Sequence, residues 1–102
     1  SVGLTAKQAK DAGIDVRIAD GDISVAGSYL TDPEYSGHAC LVVDASRDIL
    51  VGATFVGPQT AELVHSATVA IVGEVPLSRL WHAVPSYPTI SEVWLRLLDQ
   101  LR

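Results

Sequence analysis

The chain has 102 residues, 48% hydrophobic and 19% charged, which suits one buried core and is too short for two domains. Seven Lys and Arg against twelve Asp and Glu give a net charge of −5, which argues against the basic patch of a phosphate-tracking nucleic-acid binder. The single cysteine excludes an internal disulfide, and a complete cofactor enzyme with its own nucleotide-binding domain does not fit this length.

Ser1-Val2-Gly3-Leu4 has no basic segment leading into an apolar one, and the longest apolar region, Ala67 to Val72, is far below membrane-spanning length. The expectation is a cytoplasmic chain without membrane contact. A start without Met suits a piece of a longer protein.

Thr5 to Ala12 reads as a short helix, with Thr5 and Gln8 as a capping box and Gly13 as its stop. Ile14 to Ala19 alternates apolar and polar residues, as a half-buried strand does, and Asp20-Gly21-Asp22 reads as its break. Residues 23–37 are rich in Ser, Gly, Asp and Pro and read as a strand fragment and a surface loop. His38 to Asp44 and Ile49 to Val56 are strands joined by the turn Ala45-Ser46-Arg47-Asp48, so they must pair antiparallel. Gly52 marks a bulge or a close approach.

Thr60 to Val72 is a helix on which Glu62, His65 and Ser66 make a narrow polar stripe. Its remaining surface is mostly apolar, more than one sheet can cover, which points to a partner surface. Pro76 to Trp81 suggests a short helix, Ala83 to Pro88 a constrained loop, and Thr89 to Leu101 a last helix opened by a second capping box, Thr89 with Glu92. The fold class is α+β: an antiparallel sheet with helices packed on it, forming one domain over residues 1–102.

Several segments together carry a resemblance. Val2-Gly3-Leu4-Thr5 with Gln8-Ala9, Gly37 with Leu41-Val42-Val43-Asp44, and Gly52-Ala53 with Val56-Gly57-Pro58 are three of them. Ala61-Glu62-Leu63 with Ala70-Ile71, and Pro88-Thr89 with Ser91-Glu92, complete the ordered set. In this order the chain resembles the C-terminal dimerisation domain of the FAD-dependent pyridine nucleotide–disulfide oxidoreductases, the family of dihydrolipoamide dehydrogenase, glutathione reductase and mercuric reductase.

The resemblance implies a fragment of a longer flavoprotein that pairs with its own copy as a homodimer. FAD and NAD(P) domains would lie upstream, where hydride passes from NAD(P)H to FAD. This chain would bind no cofactor alone, and it contains no Gly-x-Gly-x-x-Gly motif. In the family a terminal His, oriented by a Glu, reaches the partner's redox site as an acid/base. Here Tyr87 stands at the His position and Glu92 at the Glu position. A phenol with a pKa near ~10 stays neutral where an imidazole near ~6.5 exchanges protons, so Tyr87 is a hydrogen-bond donor rather than a base. Mercuric reductases are similar in having Tyr there, but they carry a C-terminal cysteine pair that this chain lacks. The parent thus reads as an FAD-dependent oxidoreductase, mercuric-reductase-like or dihydrolipoamide-dehydrogenase-like. A second departure is Cys40, where the family commonly has Lys.

Each candidate also has a plainer reading. Glu92 is explained by a helix cap alone, and Tyr87 by packing with its hydroxyl at a rim. His82 is a substitute base by its nearness to the loop, although Pro85 intervenes. His38, His65, His82 and Cys40 show no metal-ligand spacing, so no metal is expected. Cys40, inside an apolar strand, reads as a buried, inert thiol. Trp81 and Trp94 are core or interface residues, and the Tyr87-Pro88 bond is a candidate for cis. Two rival functions remain: a free-standing dimeric binding module without flavin, and a small acid/base enzyme using Glu92 and His82.

Overall fold

The computed structural model describes residues 1–102, apart from the side chain of Thr31. Four strands, β1 (Val2–Gly3), β2 (Val16–Asp22), β3 (His38–Asp44) and β4 (Ile49–Val56), form one sheet in the order β1-β4-β3-β2. Every neighbouring pair is antiparallel. The β3–β4 hairpin forms because two β-branched, apolar runs are separated by one tight turn, whose Asp44 carboxylate accepts from the Ser46 and Arg47 N–H groups. Val42 faces Gly52 but Val43 faces Leu50, so Val51 is the extra residue of a bulge. Gly52 is also a close approach, since a Cβ there would strike the Leu4 carbonyl as the N-terminal segment crosses β4.

Alternation along the strands gives the sheet two faces. Ala19, Ala39, Leu41, Val43, Leu50, Ala53 and Phe55 point into the core. Two helices cover them: α3 (Ala61–Val72) through Leu63, Ala67 and Ala70, and α5 (Val93–Leu101) through Val93, Trp94, Leu97, Leu98 and Leu101. Trp94 meets Phe55 with ring centroids 5.9 Å apart, which makes Trp94 a core residue. Trp81 is half-buried beneath the Arg102 guanidinium, 4.4 Å from its ring. The outward side of α3 leaves Val69 and Val72 exposed, as its apolar surplus predicts.

Two expectations are corrected. Asp20-Gly21-Asp22 does not break the strand: β2 continues through Asp22, opposite Cys40, Ala39 and His38. The physical reason is that β2 is an edge strand whose open side is partly satisfied from α5. Gln100 accepts from the Asp20 N–H (3.1 Å) and donates to the Asp20 carbonyl (2.9 Å). Residues 23–37 are not a surface loop either. They contain α2 (Ala26–Thr31), and Ile23, Val25, Ser28 and Tyr35 are buried. Ser28 suits this site because its hydroxyl is satisfied locally, accepting from the Val25 N–H (3.2 Å) and donating to the Val25 carbonyl (2.8 Å). The Tyr35 hydroxyl donates to the Pro58 carbonyl at 2.6 Å.

The short helices α1 (Ala6–Asp11) and α4 (Leu77–Leu80) complete the fold. The last helix begins differently from the expectation: residues Ile90–Glu92 make a turn of 3₁₀ helix, and α5 proper starts at Val93. Among the described residues no helix is long and apolar enough to cross a membrane.

Candidate functional site

The loop between α4 and α5 carries the candidate residue Tyr87 and leads to Glu92. Its backbone leaves α4 through the Ala83 N–H to the Leu80 carbonyl (2.9 Å). The Tyr87-Pro88 peptide is cis, and Tyr87 stands out with 77% of its surface exposed. Thr89 is extended (φ −140°, ψ 160°), which turns the chain into the 3₁₀ segment.

Two contacts fix this turn. The Thr89 hydroxyl donates back to the Ser86 carbonyl at 2.6 Å. The Glu92 side chain, half-buried, accepts the Thr89 N–H on Oε2 at 2.9 Å. The expected second capping box is therefore half made: the carboxylate bonds back, but Thr89 gives no side-chain cap, its hydroxyl being committed to Ser86. The same Glu92 oxygen also accepts the N–H of Gly27, in α2, at 3.3 Å. A Cβ on Gly27 would collide with the Thr89 backbone, so only glycine permits this approach.

Between the loop and the start of α3 lies a cleft of about 300 Å³, lined by Gln59, Glu62, Leu63, Pro88, Thr89, Ile90 and Ser91. Tyr87 and Glu92 thus share one turn, with Tyr87 facing solvent and Glu92 bonded to two backbone N–H groups. His82 is exposed, and among the described residues no hydrogen bond or ion pair joins its side chain to Glu92. The acid/base pair Glu92–His82 is not assembled as a hydrogen-bonded unit.

The remaining candidates lie elsewhere. His38 faces Asp22 (3.4 Å) and Asp20 (3.8 Å) on the solvent side of β2 and β3. Cys40 shares that face and is half-buried rather than buried. Partial burial, and then the nearby Asp20 carboxylate, push its thiol above the usual range, the opposite of an activated nucleophile. Burial likewise pushes the Tyr35 phenol up. Among the described residues, no three His, Cys, Asp or Glu side chains converge as a metal would require.

Gly27 and Glu62 escape sequence reasoning. Gly27 sits 65 residues from Glu92, in a stretch whose composition reads as loop, and no local rule joins them. Glu62 is visible in the helix's polar stripe and among the residues that carry the resemblance, but not as a wall of this cleft. Its place beside Pro88 depends on how α3 lies on the sheet.

Residues 1–98 match the model of the pyridine nucleotide-disulphide oxidoreductase dimerisation domain. A dihydrolipoyl dehydrogenase from Thermus scotoductus is 37% identical over 100 residues, which is 98% of this chain and 22% of that protein. The mitochondrial dihydrolipoyl dehydrogenase of Schizosaccharomyces pombe is 34% identical over 94 residues, 89% of this chain and 18% of its own length. The fold is shared with the HOCl-induced flavoprotein disulfide reductase RclA from Escherichia coli, at a TM-score of 0.90 and 20% identity, covering 99% of this chain and 23% of that one. The chain spans about a fifth of the length of these relatives.

Proposed function

From the premise that the chain belongs to the dimerisation-domain family of the pyridine nucleotide-disulphide oxidoreductases, we propose that it forms the homodimer contact of a longer FAD- and NAD(P)-dependent oxidoreductase and lends the Tyr87 loop to the edge of the partner's redox site. The free-standing module and the small acid/base enzyme are not favoured by this membership. The carrying observation is the exposed apolar surface: Val72, Val84 and Tyr87 are 79%, 72% and 77% exposed, with Val69 at 54%. Val69 and Val72 are three residues apart on α3 and so share one side of that helix, and an apolar helix side left uncovered is typical of a face that a partner covers.

The chain does not fit a dinucleotide cofactor by itself. Such a group is usually cradled where a parallel strand passes through a glycine-rich turn into a helix. Every strand pair among the described residues is antiparallel, so no step of the reaction is assigned to a cofactor held here. What this chain supplies is placement. The Tyr87 phenol offers a hydroxyl that donates or accepts a hydrogen bond at the rim. Glu92 and Thr89 hold the turn that presents it.

Sedimentation of the full-length protein tests the contact. A dimer is expected, and Val72→Asp is expected to shift it toward monomer by placing a charge in a desolvated surface. A wild-type monomer at high concentration, or a dimer indifferent to the substitution, counts against the reading.

A further inference from the structure

We propose that Glu92 and Gly27 are a clip that positions Tyr87, and that the clip depends on a hydrogen-bond acceptor at residue 92 rather than on its charge. This rests on the proposed function only for Tyr87's destination; the clip stands on the fold.

The argument starts from the lone pairs of one oxygen. Glu92 Oε2 accepts from Thr89 N–H at 2.9 Å and from Gly27 N–H at 3.3 Å. The first bond is local, within the turn that follows Tyr87-Pro88. The second spans 65 residues and reaches α2. One carboxylate oxygen therefore ties α2 to the presenting loop. The backbones are in direct contact at the same point, where a Cβ on Gly27 would meet the Thr89 carbonyl group.

The same first turn of α2 is anchored in the core. Val25 and Ser28 are buried, and Ser28 closes the turn that begins the helix. The loop is therefore braced from both directions: by the Thr89 hydroxyl on Ser86 and by α2 through Glu92. Tyr87 lies two residues before Thr89 and so is carried by that brace. An acceptor oxygen is all that the two N–H groups require. An amide oxygen at residue 92 meets that need, whereas a methyl group leaves two donors without it.

The test uses the full-length protein carrying Glu92→Ala, Glu92→Gln and Gly27→Ala, with Tyr87→Phe as a second background. Hydrogen exchange of the amides in 26–31 and 86–92 reads the clip directly. In Glu92→Ala both segments are expected to exchange faster together, by about tenfold, as loss of the shared acceptor implies. In Glu92→Gln both are expected to stay within about twofold of wild type, since the acceptor is retained. NAD(P)H-dependent turnover of the Glu92 variants is expected to follow exchange, and Glu92→Ala is expected to add little once Tyr87 is Phe.

The proposal is overturned if Glu92→Gln loses turnover as fully as Glu92→Ala while exchange stays native, because the charge would then be the working part. It is also overturned if Glu92→Ala loosens 86–92 and leaves 26–31 unchanged. Should Gly27→Ala not fold, the comparison of the two Glu92 variants decides alone. A protein that is monomeric or has no flavin-dependent turnover counts against the proposed function, while the exchange arm still judges the clip.

Discussion

Thr5-x-x-Gln8 and Thr89-x-x-Glu92 are the same capping signature written twice, and they fold into different devices. At the first, both reciprocal bonds form: the Gln8 N–H donates to the Thr5 hydroxyl at 3.1 Å, and the Thr5 N–H donates to the Gln8 side chain at 3.0 Å. Everything is exposed and everything lies within four residues. At the second, only the carboxylate half survives, Thr89 turns to Ser86, and the carboxylate gains a partner 65 residues away. The first motif starts a helix. The second joins two remote parts of the chain. Both threonines are extended, but the first helix start is complete in itself, whereas the second turn abuts α2. Tertiary contact decides which bonds are available.

The largest expected effect comes from pressing on the joint. Gly27→Ala must push a Cβ into the Thr89 backbone, and backbone cannot rotate aside as a side chain can. A loss of about 3 kcal/mol in stability is expected, at the upper end of ordinary overpacking, read by denaturant unfolding. A loss near zero would mean that α2 and the turn slide freely past one another. The comparison would then collapse, because both motifs would be local. Next comes Glu92→Ala, which deprives the Gly27 and Thr89 N–H groups of their acceptor and is expected to cost about 2 kcal/mol. Glu92→Gln should recover most of it.

The two motifs also mark the limit of what was legible beforehand. The hairpin of β3 and β4, the apolar faces of α3 and α5, and the first capping box all rest on periodicity or on contacts within a few residues, so sequence alone reveals them. The resemblance to a family points to the Tyr87 loop, down to the cis bond before Pro88. What escaped depends on partners distant in sequence. β2 outruns Asp20-Gly21-Asp22 because Gln100 reaches its edge from α5. α2 looked like a loop because Ser28 and Gly27 are poor helix formers, kept for a buried hydroxyl and a close approach. The sequence reads Glu92 as a cap, which its bond to the Thr89 N–H bears out, but its bond to Gly27 has no local trace.

The smallest effects fall on the two threonines, which hold equivalent positions in the two turns. Thr5→Ala removes an acceptor from the Gln8 N–H at the start of α1 and is expected to cost about 1 kcal/mol, the usual value for a lost N-cap. Because α1 buries only Ala9, the damage should remain local, with fraying of 5–11 seen as faster amide exchange there and nowhere else. Thr89→Ala removes a donor instead. It frees the Ser86 carbonyl, which water can reach because the bond is exposed, so its cost is expected to be only about 0.5 kcal/mol. The ranking therefore runs against the usual assumption that the half-buried copy of a motif matters more. The threonine is the stronger partner at the exposed cap and the weaker one at the joint, where the carboxylate carries the load. Equal costs for the two substitutions would show that Thr89 caps its helix as Thr5 does, and the two turns would then be one device after all.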